Sequence, residues 1–133
     1  MRKACVCIVL SILSFVSFIS EAKVIRGYST TGVNPLSIVV DSIDYRRDLT
    51  RVYCKAVGRP HTSNRIDAMK MILKDGSYVA NDIDGVDFKR YFQWEDEGSI
   101  PLEIDFPPMK AVTPMRLEIV SPHGTGVILI KKK

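Results

Sequence analysis

From Leu36 onward, apolar and polar residues alternate along much of the chain. Leu36, Ile38 and Val40 are separated by Ser37, Val39 and Asp41. A period of two places one set on a single face of a pleated strand, which predicts a first strand ending near Tyr45, before the charged turn Arg46-Arg47-Asp48. A second strand follows, with Val52, Cys54 and Ala56 on one face and Arg51, Tyr53 and Lys55 on the other. The turn-rich stretch 58–64 contains Pro60, which cannot donate to a ladder, so the strand stops there. Residues 66–73 are ambiguous: Met69, Met71 and Leu73 have strand spacing, whereas Ala68, Met69, Ile72 and Leu73 would suit a short helix. Asp75-Gly76 decides for a hairpin, because this dipeptide favours a type I′ turn, with Tyr78-Val79-Ala80 returning as the partner. Ile100, Leu102, Ile104 and Phe106 then alternate with Pro101, Glu103 and Asp105. Pro101 suggests an edge strand or the place where the chain enters a sheet, and Pro107-Pro108 ends the run. Met115, Leu117 and Ile119 form a sixth strand, Ser121-Pro122-His123-Gly124 turns, and 127–130 closes the fold. Seven short strands with turn signals between them predict an all-β fold, an immunoglobulin-like two-sheet β-sandwich of about seven strands over 36–130.

The beginning of the chain follows a different grammar. Arg2 and Lys3 precede an uncharged apolar run, 4–19, and Ser20-Glu21-Ala22 puts small residues at the −3 and −1 positions of a cleavage site. These are the three parts of a secretory signal peptide, 1–22. The run is shorter than the ~20 residues a helix needs to cross a bilayer, so no stable transmembrane segment is expected after processing, and a secreted or periplasmic location is. Residues 23–35, with Gly27 and Gly32, read as a flexible leader, and 131–133 as a basic tail.

Composition and charge narrow the function classes. The 133 residues carry 19 Lys and Arg against 15 Asp and Glu. Cleavage after Ala22 leaves 111 residues with 17 cations against 14 carboxylates, three of the cations being Lys131, Lys132 and Lys133. No cationic stripe with interleaved aromatics is present, so nucleic acid is not an expected partner. The lysines read first as a solvated tail that blunts the last strand, with attachment to an anionic envelope surface as the lesser, functional reading. Only Cys54 survives processing, so no intramolecular disulfide is possible; its place beside Val52 and Ala56 makes it a small inert hydrophobe.

Catalytic and metal signatures are sparse. His61 and His123 both fall in expected turns, without a neighbouring nucleophile motif. Asp82, Asp84 and Asp87 around Gly85 resemble a fragment of a calcium loop, but the full spacing and its closing glutamate are missing. No catalytic residue, metal or other cofactor is therefore expected. The aromatic concentration Phe88, Tyr91, Phe92 and Trp94 lies in an irregular stretch, 81–99. Exposed, such rings beside carboxylates and amides form a platform for sugars or peptides; buried, they plug one end of a sandwich. Loops of this length on a rigid scaffold commonly carry recognition. That makes 81–99 the expected partner surface, with Tyr91 and Trp94 as anchors and Asp84, Asp87 and Lys89 at the rim.

Thr50 and Val52, then Leu73, Asp75, Gly76 and Tyr78, then Ile104, Phe106 and Pro107 recur in the order TRVYCKAV, IDAMKMILKDGSYVA, IPLEIDFPP. Over roughly 38–130 this resembles small exported bacterial immunoglobulin-like modules of the telokin-like extracellular type. The resemblance implies a sandwich in an extracytoplasmic setting and a non-enzymatic binding or accessory role, with a protein or glycan partner at the cell envelope or outside the cell. It implies no catalytic residues, and the chain lacks the Cys…Trp…Cys core of antibody domains. The alternatives are a structural subunit assembled through a sheet edge and a small hydrolase with an unrecognised site.

Overall fold

A computed structural model describes residues 23–31 and 36–133. The expected signal peptide, 1–22, and the end of the expected leader, 32–35, lie outside the described residues. Twelve strands are present among the described residues: β1 (Lys23–Arg26), β2 (Tyr28–Thr31), β3 (Ser37–Tyr45), β4 (Thr50–Val57), β5 (Ser63–Arg65), β6 (Ala68–Leu73), β7 (Gly76–Val79), β8 (Asp82–Asp84), β9 (Tyr91–Gln93), β10 (Ser99–Phe106), β11 (Met115–Ser121) and β12 (Gly124–Lys132). They form two five-stranded antiparallel sheets, ordered β1-β3-β4-β10-β8 and β2-β12-β11-β6-β7, and a two-stranded ribbon, β5-β9. The fold is all-β and sandwich-like.

The period-two runs deliver one face of each sheet to a common core. Val52, Cys54 and Ala56 from β4 and Leu102, Ile104 and Phe106 from β10 pack in one cluster with Met69 and Met71 from β6, Leu117 and Ile119 from β11, and Ile128 and Ile130 from β12. β3 changes phase along its length. Val40 sits opposite Cys54 and Ser42 opposite Tyr53, so Asp41 is an extra residue in a β-bulge. The bulge turns Ile38 and Val40 inward before it and Ile43 and Tyr45 inward after it, a shift of one that strict alternation does not anticipate.

Three expectations are corrected here. The flexible leader is, over 23–31, a pair of strands: β1 adds to β3 and β2 adds to β12, with Gly27 between them carrying the chain from one sheet to the other. The basic tail is largely strand, since Lys131 and Lys132 pair with Ser29 and Tyr28. Lys132 Nζ donates to the Arg26 carbonyl and lies 5.3 Å from the Tyr28 ring centroid, and the Lys133 amide donates to Gly27 O at 2.9 Å. Finally, of the two readings of Pro101 the edge is corrected and the entry point holds, since β10 lies between β4 and β8. Pro101 pairs with Lys55, but β8 reaches only Glu103 to Asp105, so the proline occupies the start of the strand where one side is unladdered.

Candidate functional site

The segment 81–99 is not a free loop. Its first part is β8, whose Ile83 packs inward while Asp82 and Asp84 face out opposite Asp105 and Glu103. Gly85 ends that strand with φ +103°, and a Cβ there would stand 2.2 Å from the Pro101 carbonyl oxygen. Only glycine fits so close a backbone approach.

The second part is β9, which pairs with β5: Ser63 opposite Gln93, Asn64 opposite Phe92, Arg65 opposite Tyr91. The pairing continues beyond the strands. The Lys89 amide donates to Ile66 O at 2.8 Å, the Trp94 amide to Thr62 O at 3.0 Å and the His61 amide to Trp94 O at 2.6 Å. His61 and Lys89 both hold left-handed backbone, φ 63° and 64°, at the positions where the chain turns while keeping its amide in the ladder.

Alternation gives the ribbon two faces. Asn64, Phe92 and Trp94 face inward. Trp94 is only 4% exposed, donates its indole N–H to Ala56 O at 2.9 Å and meets Phe92 edge to face at 5.1 Å. Its ring lies on the backbone of Gly58, where an added Cβ would come within 2.5 Å of the indole. The expected anchor role of Trp94 is therefore corrected: the residue bolts the ribbon to the core, and a partner does not reach it.

Ser63, Arg65, Tyr91 and Gln93 face outward. Tyr91 is 64% exposed, and the Arg65 guanidinium carbon lies 5.1 Å from its ring centroid, a cation–π contact across the ladder. Asp67 fixes that guanidinium from below through two bonds, Nε to Oδ1 at 2.7 Å and Nη2 to Oδ2 at 3.2 Å. Its carboxylate also holds Arg65 further toward the protonated state, chiefly by the hydrogen bond. The Tyr91 ring and the pinned Arg65 guanidinium form a solvent-facing surface, and Gln93 lies on the same outward face of β9.

The expected rim residues divide. Lys89 and Asp87 lie beside the ribbon, Asp87 within 3.7 Å of Arg90. Asp84 is placed on β8 opposite Glu103 rather than on the ribbon. Arg65 and Asp67 are the site residues that the sequence reading misses. Their i, i+2 spacing in an extended chain, which puts both on one face, is the signal that could have found them.

His61 Nε2 lies 2.8 Å from Asp96 Oδ1, with both side chains exposed. On the outer face of the first sheet, Arg51 binds Asp105 through two bonds, 2.7 and 3.0 Å. Asp82, Asp84 and Glu103 line a shallow hollow beside this pair. Among the described residues no group of three or more His, Cys, Asp or Glu side chains is arranged to hold a metal ion. Cys54 is buried, and desolvation pushes its thiol pKa up to about 12, which keeps it protonated and inert at neutral pH. Comparison with protein-family models, with curated proteins and with solved structures gave no match for this chain.

Proposed function

We propose that the protein is an exported, non-enzymatic binding or accessory module that recognises a protein or glycan at the cell envelope or outside the cell. The observation that carries this reading is the outward face of the β5-β9 ribbon. An exposed aromatic ring stands against a pinned guanidinium, on a ribbon that Trp94 fixes to the core. Exposed tyrosine with such polar neighbours suits stacking on a sugar face or an extended peptide, and its order is established before binding, which lowers the entropic cost of recognition.

The immunoglobulin-like reading draws on strand order. β3-β4-β10-β8 against β12-β11-β6-β7 follows the A-B-E-D and G-F-C-C′ arrangement of that fold, with β1 and β2 added outside it. The likeness to telokin-like extracellular modules is part of the same proposal.

Capture from envelope and culture-fluid extracts tests the function. Tyr91→Ala and Arg65→Ala should each abolish capture of a partner that the unaltered domain retains, without lowering the melting temperature appreciably. Capture that survives both substitutions overturns the assignment of the ribbon. A second reading, a subunit assembled through a sheet edge, draws on the open side of β7, where Val79 is exposed. Concentration-dependent oligomers on a sizing column would favour it.

A further inference from the structure

The end of the sandwich opposite the ribbon carries a different surface. Phe106 on β10 lies opposite Thr50 on β4, whereas Ser99 and Val57 mark the far end of the same pair. The loop 107–114, which leaves β10 at that end, therefore projects away from Tyr91. Met109 tucks back into the core, its amide donating to Thr50 Oγ1 at 3.0 Å. Pro108, Ala111, Val112 and Pro114 are left in solvent, Val112 being 44% exposed.

Cations surround this apolar tip. On one side Lys74 and Lys110 line a hollow together with Val112 and Pro114. Arg116 joins Lys74 in the adjoining hollow against Pro114, Ile72 and Leu129. On the other side Lys23, Arg46 and Arg47 line a hollow against Pro108, Met109 and Ala111. The carboxylates of the same turns are Asp44, Asp48 and Asp75. Asp44 is bonded to Arg46 at 2.6 Å and Asp75 accepts from the Tyr78 hydroxyl at 3.0 Å. Six cations thus stand against these three carboxylates around one exposed aliphatic loop.

We propose that this end docks on an anionic lipid bilayer, with Val112 and its neighbours entering the interface and the surrounding cations meeting the headgroups. Charge complementarity alone would also suit a soluble polyanion. The aliphatic tip favours the bilayer, because an apolar loop gains by leaving water for the acyl boundary and gains nothing against a hydrated sulfated sugar. Each Lys or Arg brought to such a surface strengthens binding about five-fold, so a few cations and a small apolar tip together give reversible, salt-sensitive attachment. The β5-β9 face at the other end would remain turned away from the lipid and open to a partner.

All twelve strands and the described core lie within 23–132, so a chain beginning at Lys23 carries the complete described fold and is used for the test. Sedimentation with vesicles of phosphatidylcholine alone and of phosphatidylcholine with phosphatidylglycerol should show binding to the second only, weakening as salt is raised. Lys74→Glu combined with Lys110→Glu should weaken it at least about 25-fold, five-fold or more for each charge. Val112→Asp should weaken it about ten-fold, with an unchanged melting temperature as the folding control. Tyr91→Ala should bind vesicles like the unaltered protein, which keeps failure here separate from failure of the ribbon assignment. Absence of binding to the anionic vesicles at low salt overturns the proposal. So does a Val112→Asp protein that binds them undiminished, or heparin retention without vesicle binding, which would make this end a polyanion site.

Discussion

Replacing Trp94 by alanine separates a structural bolt from a binding anchor. An indole of this size buries about 200 Å², which at about 25 cal/mol per Å² is worth ~5 kcal/mol as an upper value. Alanine retains the Cβ and the surroundings relax in part, so truncation of a core aromatic costs about 3–5 kcal/mol. The Ala56 carbonyl loses its indole donor, adding about 1 kcal/mol. A loss of about 4–6 kcal/mol follows, and at ~4–6 °C per kcal/mol for a domain of this length the melting temperature should fall by about 15–35 °C. Trp94 is the sole tryptophan, so the variant is followed by urea unfolding in far-ultraviolet circular dichroism. In the unaltered protein the indole should emit at short wavelength and resist iodide quenching. Tyr91→Ala, three positions earlier on the same chain segment, should cost about 1 kcal/mol or less, as a surface substitution. Equal small losses for both variants, or a readily quenched Trp94, would refute the inward and outward faces assigned to the ribbon.

Other consequences can be measured directly. Cys54 should react with a thiol reagent only after denaturation, and rapid labelling of the native protein would place it outside the core. Its folded pKa, about 12, lies above the ordinary value of 9.0, so the unfolded chain releases this proton first as pH rises. Stability should then fall between pH 9 and 12, by up to ~1.4 kcal/mol per pH unit from this group, and Cys54→Ala should remove that component in urea titrations. Gly85→Ala should destabilise by about 2–3 kcal/mol, because its φ is disfavoured and its Cβ meets the Pro101 carbonyl; an unchanged melting temperature would contradict the close approach. Asp84→Asn should raise stability by roughly 0.5 kcal/mol by relieving the like charge of Glu103 across the ladder, and a fall would show that the pair is compensated. Intact mass of exported protein should correspond to a chain beginning at Lys23, and a product retaining 1–22 would remove the signal-peptide reading.

The strands with the longest runs are legible before any coordinates. Val52-Cys54-Ala56, Leu102-Ile104-Phe106 and Leu117-Ile119 each fall on one face of a pleat and satisfy no helical period, and Asp75-Gly76 places its own hairpin. The strands that are missed share a physical reason. β5, β8 and β9 have three residues each, too few to express a period, and their pairing depends on partners distant in sequence. β1 and β2 sit at sheet edges with largely polar residues, so nothing local distinguishes KVIR and YSTT from a leader. The bulge at Asp41 leaves a trace, the three-residue step from Val40 to Ile43, that reads equally well as the end of alternation. Trp94 is the sharpest case. The same residue in the same segment serves as anchor or bolt, and what decides is Gly58, a residue without a side chain 36 positions earlier that leaves room for the ring. Tyr91 emerges as exposed for the complementary reason, since its ladder partner Arg65 covers one face of the ring and leaves the rest open.

The pairing of the first strands with the last also governs the order in which the molecule can form. β12 lies between β2 and β11, so the final nine-residue strand supplies the ladder that joins the second sheet's earliest segment to the rest. Until β12 has been synthesised, β2 has no neighbour in its sheet to pair with. The second sheet therefore closes only after its last described strand is in place. A chain in which β12 is not yet free to pair remains open at this seam, with one side of β11 unladdered as well.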